Sequence, residues 1–239
     1  MHHEIEFKEV VFEYPEKKFG LYNITFNIGI GTKFAVCGRN GAGKTTLLRI
    51  LMGLEEHQAG NIKVQELTLN RENIKEVRKR IGFVFQNPDS QVFSASVYED
   101  VAFGPRNLGL EEEEVEKRVE EALKSVDLLD CTHESPFRLS FGQRKRVAIA
   151  GVLSMDPSII ILDEPFSNLD YPTRTSLKKL LENSVLKRGK TIIFTTHYRK
   201  LINEWADSVL FLDAGKILYH GNVEDLSIID EADRFLGPF

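Results

Sequence analysis

Cysteine, basic charge and long apolar runs are all scarce in this chain, and each scarcity removes a class of protein. Only Cys37 and Cys131 occur. Two thiols so far apart make no disulfide framework, and neither a CxxC pair nor a Cys/His ligand spacing is present, so a reducing compartment fits best. No apolar run approaches the roughly 18 residues that a membrane-crossing helix needs. The longest, SIIILD and VAIAGVL, have the length of a strand or a buried helix segment. The opening MHHEIEF has no signal-peptide apolar region, so any link to a membrane is expected to run through a partner. Lys and Arg number 31 against 36 Asp and Glu, a net charge of −5. That balance disfavours nucleic acid as the main partner, because binding it requires a basic footprint. There is no internal repeat and no low-complexity linker.

What is present is an ordinary globular composition, 42% hydrophobic and 28% charged over 239 residues, enough for a sizeable core. HEIEFKEVVFEY alternates as a half-buried strand does. TKFAVC, IGFVF, SIIILD and KTIIFTTH read as short buried strands, TTLLRILMGL as a helix ending at Gly53, and EEEEVEKRVEEALKSVDLL as a helix whose acidic first turn suits its dipole. SVLFLDAGKILYHG reads as a hairpin turning at AG. Apolar strands separated by helices predict an α/β protein with a mainly parallel sheet covered on both faces. The stretch from about 87 to 150 shows no clear strand and is expected to form an inserted helical subdomain within a single domain spanning 1–239.

GRNGAGKT, Gly38 to Thr45, matches the phosphate-binding pattern G-x-x-x-x-G-K-[ST]. Its glycines let the backbone curl with N–H groups turned inward, and the helix that follows adds the positive end of its dipole. Lys44 would reach the β- and γ-phosphates and Thr45 would place its hydroxyl on Mg²⁺. A glycine-rich turn without a ligand is the bland alternative, but this motif follows an apolar strand and opens a helix, as the mechanism requires. SIIILDEP ends a buried strand in two carboxylates. Asp163 stands where Mg²⁺ would need a ligand, and Glu164 where a water would be oriented or deprotonated. Otherwise the pair is a solvated strand end. Ser140-x-x-Gln143 in LSFGQRKRVAIA is a capping box, which starts a helix well and needs no further explanation. A helix start also offers N–H groups to an anion, and Gly142 keeps side chains clear. Two helix starts in separate parts of one monomer do not readily hold one phosphate. A second copy of the chain would offer its capped helix to the first copy's nucleotide.

These motifs, in this order and over nearly the whole chain, resemble the ATP-binding cassette ATPases. Gly38 to Thr45 resembles the Walker A loop, Gln86 the Q-loop glutamine, LSFGQ the signature LSGGQ, IIILDEP the Walker B strand with its catalytic glutamate, SNLD (Ser167 to Asp170) the D-loop, and His197 the switch histidine. Tyr14 in FEYP sits where the family has an aromatic that stacks on adenine. The resemblance implies a P-loop NTPase core with an N-terminal antiparallel β portion and the inserted helical subdomain. It also implies ATP and Mg²⁺ as cofactors. The nucleotide contacts it implies are Tyr14, Gly38, Asn40, Gly41, Gly43, Lys44, Thr45 and Thr46, with Ser140, Gly142 and Gln143 acting from a second subunit. Thr45, Gln86 and Asp163 would hold the metal; Glu164, His197, Lys44 and Gln86 would form the catalytic group. In this family two domains sandwich two ATP molecules head to tail, so an obligatory dimer, homomeric or heteromeric, follows. Phe141 replaces the first glycine of LSGGQ and is expected to pack beneath the helix start. Phe166 stands before SNLD where the family more often has threonine.

QNPDSQVFSASVYEDVAFGPRNLGL, Gln86 to Leu110, resembles the energy-coupling factor branch, whose ATPases drive uptake of vitamins or of cobalt and nickel. Membership implies a transmembrane coupling protein and a small substrate-binding membrane protein, with this chain peripheral on the cytoplasmic face of the cell membrane. The segment after Gln86 would be the docking surface. Phe93, Val97, Tyr98, Val101 and Phe103 form an apolar series there that is either core or contact, and Asp89 and Gln91 are expected to touch the partner. A rival keeps the ATPase and makes it a mechanical clamp on DNA or ribosomes. No heptad coiled coil is visible, only one cassette fits in the chain, and the acidic balance disfavours it. A regulatory, non-hydrolysing partner is opposed by the intact Lys44, Asp163, Glu164 and His197. Near the C-terminus, Ile228, Ala232, Phe235 and Phe239 fall on one helix face, which would dock on the chain's own domain, the favoured reading, or on the dimer partner.

Overall fold

The computed structural model describes residues 3–16, 19–167 and 169–228. In chain order these form β1 (His3–Glu13), β2 (Gly20–Gly29), β3 (Lys33–Cys37), α1 (Lys44–Leu51), β4 (Ala59–Val64), β5 (Leu67–Thr68), α2 (Ile74–Arg80), β6 (Ile81–Val84), α3 (Val97–Asn107) and α4 (Glu112–Ser125). They continue with α5 (Phe141–Leu153), β7 (Ile159–Leu162), α6 (Tyr171–Ser184), β8 (Thr191–Thr196), α7 (Arg199–Trp205), β9 (Ser208–Asp213) and β10 (Lys216–Asn222). Two compact units result. One takes the described residues up to 78 and from 191 onward, the other residues 79–190. Ala232, Phe235 and Phe239 lie outside the described residues, as do Asn168 and the Ile228 side chain.

The first unit holds an antiparallel sheet in the order β2-β1-β4-β5. β1 buries Ile5 and Phe7, then Val10 and Phe12. The inward set slips by one residue between Phe7 and Val10, where the pairing with β2 changes register and Glu9 takes a φ of 53°. Strict alternation would have turned Glu9 into the core; the bulge re-aims the strand instead. Phe7 stacks on Phe26 of β2 at 4.6 Å between ring centres. The same unit runs β10-β9-β3-β8 side by side, with β3 parallel to both β8 and β9 and β10 antiparallel to β9. Phe34 to Cys37 of β3 and all of β8 are buried, the continuous apolar reading of parallel strands covered on both faces. The hairpin turns at Ala214 and Gly215, both at positive φ (44° and 76°), the geometry that suits a two-residue connection.

The second unit pairs β6 with β7 in parallel, Ile81 opposite Ile159 through Val84 opposite Leu162. Among the described residues, no strand lies between them in sequence; α3, α4 and α5 do. α4 buries Val115, Val119, Ala122 and Leu123 on one face and opens on three glutamates. It stops at Ser125, short of the VDLL that sequence periodicity assigned to it. Asp127 takes the left-handed conformation, φ 58°. The Leu128 amide then bonds back to the Leu123 carbonyl at 3.0 Å, and that of Asp127 to Lys124 at 3.3 Å. This is the six-to-one and five-to-two pattern that closes a helix.

α3 is the least evident helix in the sequence, since it contains Gly104 and Pro105. Ser96 caps it by accepting from the Glu99 amide at 3.3 Å. Pro105 has no N–H, which releases the Val101 carbonyl four residues back. That carbonyl is buried and accepts the Ser154 hydroxyl from the end of α5 at 2.8 Å. The proline is thus tolerated because a neighbouring helix supplies the missing donor. Ser154 is 2% exposed, so Ser154→Ala should leave an unsatisfied buried acceptor and cost about 1–2 kcal/mol in urea unfolding. In a Pro105→Ala background, where residue 105 regains its amide, that cost should shrink. An equal cost in both backgrounds would break the proposed link.

Candidate active site

β3 runs buried to Cys37, whose thiol burial pushes well up from its usual pKa, so it acts as a small neutral hydrophobe. The chain then turns through Gly38, Gly41 and Gly43 at φ of 148°, 83° and 113°. At Gly38 a Cβ would stand 2.2 Å from the Leu212 carbonyl, whereas at Gly41 nothing lies within 4 Å. The first glycine is therefore required by packing, the second by the left-handed turn alone, which leaves that face of the loop open. α1 begins at Gly43 with no side-chain cap and no acidic residue in its first turn, the condition under which a helix start receives an anion. The Lys44 ammonium is drawn back over the loop, donating to the carbonyls of Gly38 at 2.8 Å and Arg39 at 3.2 Å. Asn40 and Thr45 are exposed and Thr46 is buried.

Tyr14 is brought to this loop: its hydroxyl lies 3.4 Å from Thr46 Oγ1. Its ring packs edge-on to Phe12 at 4.7 Å and stacks with Phe19 at 6.5 Å. Phe19 was not legible as a site residue, because a lone aromatic at a turn carries no motif. β8 pairs Thr196 with Cys37, so His197 emerges at the end of the sheet where the phosphate loop starts. Its ring lies 4.0 Å from that of Tyr198.

In the second unit, the Asp163 amide donates to the Val84 carbonyl at 2.9 Å. Asp163 and Glu164 thus leave β7 beside the end of β6, from which the exposed Gln86 follows. Gln91 stitches that end: its amide donates to Phe83 O and accepts from Phe85 N, each at 3.0 Å. Glu164 has φ 45°, the left-handed region. Its carbonyl accepts the Ser167 hydroxyl at 2.8 Å and the Ser167 amide at 3.2 Å. Phe166 is buried.

The Ser140 capping box is complete, Ser140 Oγ accepting from Gln143 N at 3.3 Å and Gln143 Oε1 from Ser140 N at 3.0 Å. A Cβ on Gly142 would meet nothing closer than Thr173 Cγ2 at 3.6 Å, so no crowding within the chain demands glycine there. Phe141 is half-buried, and the Lys145 ammonium lies 5.8 Å from its ring centre. Lys145 itself, missed in the sequence because RKR reads as a solvated helix face, is 1% exposed. Burial lowers its pKa to about 8 against the opposing pull of the Glu164 and Asp163 charges.

The predicted residues therefore fall into two local groups. Tyr14, the Gly38–Thr46 loop and His197 lie at one end of the first unit. Gln86, Asp163 and Glu164 leave paired strands in the second unit, where Ser140, Gly142 and Gln143 open α5.

Comparison with known proteins agrees with this geometry. The family model described as ABC transporter matches residues 21–167. The energy-coupling factor transporter ATP-binding protein EcfA of Carboxydothermus hydrogenoformans is 44% identical over 91% of this chain and 80% of its own length. The EcfA of Methanocaldococcus jannaschii is 44% identical over 93% and 80%. Among solved structures, CbiO1 from Clostridium perfringens, part of the ABC transporter complex CbiONQ, superposes with a TM-score of 0.88 at 38% identity, covering 98% of this chain and 94% of that one. A dimeric ATP-binding cassette in a post-hydrolysis state bound to ADP and Pi gives a TM-score of 0.80 at 28% identity, covering 92% and 98%. With the phosphate loop, the buried strand ending in Asp163 and Glu164 and the capped α5 all in place, the chain belongs to the ABC transporter family, as an ATP-hydrolysing cassette of the energy-coupling factor type.

Proposed function

We propose that this cassette powers a membrane importer for a micronutrient, a vitamin or a transition-metal ion, from the cytoplasmic face of the cell membrane. It would act as a peripheral single-domain subunit over 1–239, with the helical part near 87–150 inserted. Beyond the names of its relatives, the observation that carries this reading is an apolar groove in the second unit. Phe85, Phe93 and Phe103 are 42%, 60% and 51% exposed there, and Phe93 meets Phe103 edge to face at 5.1 Å. The groove has a volume of about 410 Å³ and is also lined by Asn107, Gly151 and Met155. Asp100 lines it as well. One of its carboxylate oxygens accepts from the amides of Phe93 and Ser94 at 3.0 Å, and the other is buried without a partner among the described residues. Exposed aromatics beside an incompletely paired carboxylate suit a partner helix that brings an apolar face and a cation.

Val97 and Val101 are core, leaving Phe93 and Phe103 as the exposed members of the apolar series. The groups of Asp89 and Gln91 are committed within the chain, Asp89 to Arg144 at 2.7 Å and Gln91 to the β6 end. The partner contact is therefore assigned to the phenylalanines. The partners are a transmembrane coupling protein with its substrate-binding membrane protein, and a second ATPase of the same or a related chain. Nucleic acid is not among them.

In the hydrolytic cycle Tyr14 packs on adenine, and the amides of Gly38, Asn40, Gly41, Gly43, Lys44, Thr45 and Thr46 with the Lys44 ammonium hold the phosphates. Ser140, Gly142 and Gln143 of a second subunit close on the γ-phosphate, the bare glycine leaving room for it. Thr45, Gln86 and Asp163 offer a hydroxyl, an amide and a carboxylate, few and all oxygen, the donor set of Mg²⁺ that keeps most of its bonds to nucleotide and water. A Mg²⁺ held by these residues would supply charge withdrawal from the γ-phosphate. Glu164 takes the proton of the attacking water, and His197 and Lys44 steady the charge that develops. Closure moves the docked membrane proteins and hydrolysis reopens the dimer.

Glu164→Gln should retain ATP binding, lose about 100-fold or more in hydrolysis, and accumulate as an ATP-bound dimer on size exclusion; rapid turnover would remove the general-base role. Purification from native membranes in mild detergent should bring down a transmembrane coupling protein. Phe103→Asp should lose that protein without changing ATP affinity. Recovery of the native chain only in the soluble fraction, with ribosomes or nucleic acid, would overturn the importer reading and leave the ATPase standing.

A further inference from the structure

Lys145 is not among the groups that hold nucleotide or activate water, yet it is one of the most deeply buried polar side chains in the second unit. A buried ammonium is unfavourable unless it is hydrogen-bonded and faces negative charge. The described surroundings of Lys145 supply both. Its Nζ lies 3.5 Å from the Glu164 carbonyl, with the Phe141 ring on another side. The carboxylates of Asp163 and Glu164 act on it in the direction that keeps it charged.

Glu164 needs such support. It is not a glycine, yet it holds a left-handed backbone, a conformation that persists only where surrounding contacts over-determine it. Those contacts converge on its carbonyl: the Ser167 hydroxyl, the Ser167 amide and the Lys145 ammonium. Two come from the turn that follows Glu164. The third comes from α5, the helix that begins at the Ser140 capping box. We propose that Lys145 is a positioning residue that fixes the backbone of Glu164 from the signature helix, so that a nucleotide seated on the start of α5 sets the aim of the water-activating carboxylate of the same subunit. The two sites of a dimer then communicate within one subunit, from Ser140 and Gly142 through α5 to Glu164. Phe141, the departure from LSGGQ, gives the ammonium a π-face where glycine would give none. The inference rests on the reading that Glu164 is the general base and that α5 meets the nucleotide.

The test is steady-state hydrolysis by the full chain in complex with its purified partners, with a fluorescent ATP analogue to measure affinity. Lys145→Met keeps the volume and removes donor and charge. It should lower kcat by about tenfold to hundredfold with KM and analogue affinity unchanged. Lys145→Arg, which keeps charge and donors, should recover most of kcat. Adding Lys145→Met to Glu164→Gln should cause no further loss, because the group being positioned is already gone. If Lys145→Met does not fold by far-UV circular dichroism, Lys145→Leu, which likewise removes both donor and charge, takes its place with the same expectation. Wild-type kcat in the neutral variant, an equal loss of ATP affinity, or losses that multiply with Glu164→Gln would each overturn the proposal. Wild-type hydrolysis by Glu164→Gln alone would instead sink the general-base reading, which separates the two failures.

Discussion

A helix start left without a side-chain cap, after a loop built on glycine, is the constraint on which the rest depends. Folding favours pairing every buried amide, and here α3, α5 and α6 each satisfy a first-turn amide with the side chain of their own N-cap, Ser96, Ser140 or Asp170. α1 does not. It begins at Gly43 with no side-chain cap, after a loop that only glycine can follow at Gly38 and Gly43. The buried strand β3 delivers this loop to the end of a parallel sheet, where carbonyl ends and helix starts meet. Lys44 turns back on the same carbonyls that shape the loop. The strand, the glycines and the lysine therefore form one local arrangement, the one proposed to hold phosphate.

α5 plays the corresponding part in the second unit. Its start is capped and bare at Gly142, and its side chains reach three separate segments. Arg144 pairs with Asp89 in the stretch after β6, Lys145 reaches Glu164 after β7, and Ser154 supplies the bond that Pro105 removes from α3. The last of these meets a local deficit, the carbonyl that Pro105 leaves without a helical donor. The groove of Phe85, Phe93 and Phe103 is bordered by the same helix through Gly151 and Val152. The helix that would touch nucleotide is thus also part of the surface proposed to meet the membrane partner.

The parts legible in the sequence were those whose physics is short-range. A phosphate loop is six or so backbone conformations in a row, a capping box spans four residues, and a strand ending in Asp163 and Glu164 announces itself by its apolar run. The bulge at Glu9 was not legible: HEIEFKEVVFEY reads as plain alternation, whereas the strand buries Ile5 and Phe7, then Val10 and Phe12. α3 was obscured by Gly104 and Pro105, because local propensity argues against a helix that a neighbour then supports. Gln91 and Asp89 read as outward polar residues, while the fold turns both to internal use.

By itself, then, the sequence determined the family and the α/β class, through an ordered set of motifs, and named the residues proposed for phosphate, metal and water. Only the tertiary structure decided which charged and aromatic side chains face inward. Lys145 became buried beneath Phe141 and against Glu164, whereas Phe93 and Phe103 stayed exposed while Val97 and Val101 joined the core. Motifs are written in neighbouring residues and survive translation into one dimension. Burial depends on which segments distant in sequence come to lie against each other, and no local pattern encodes that.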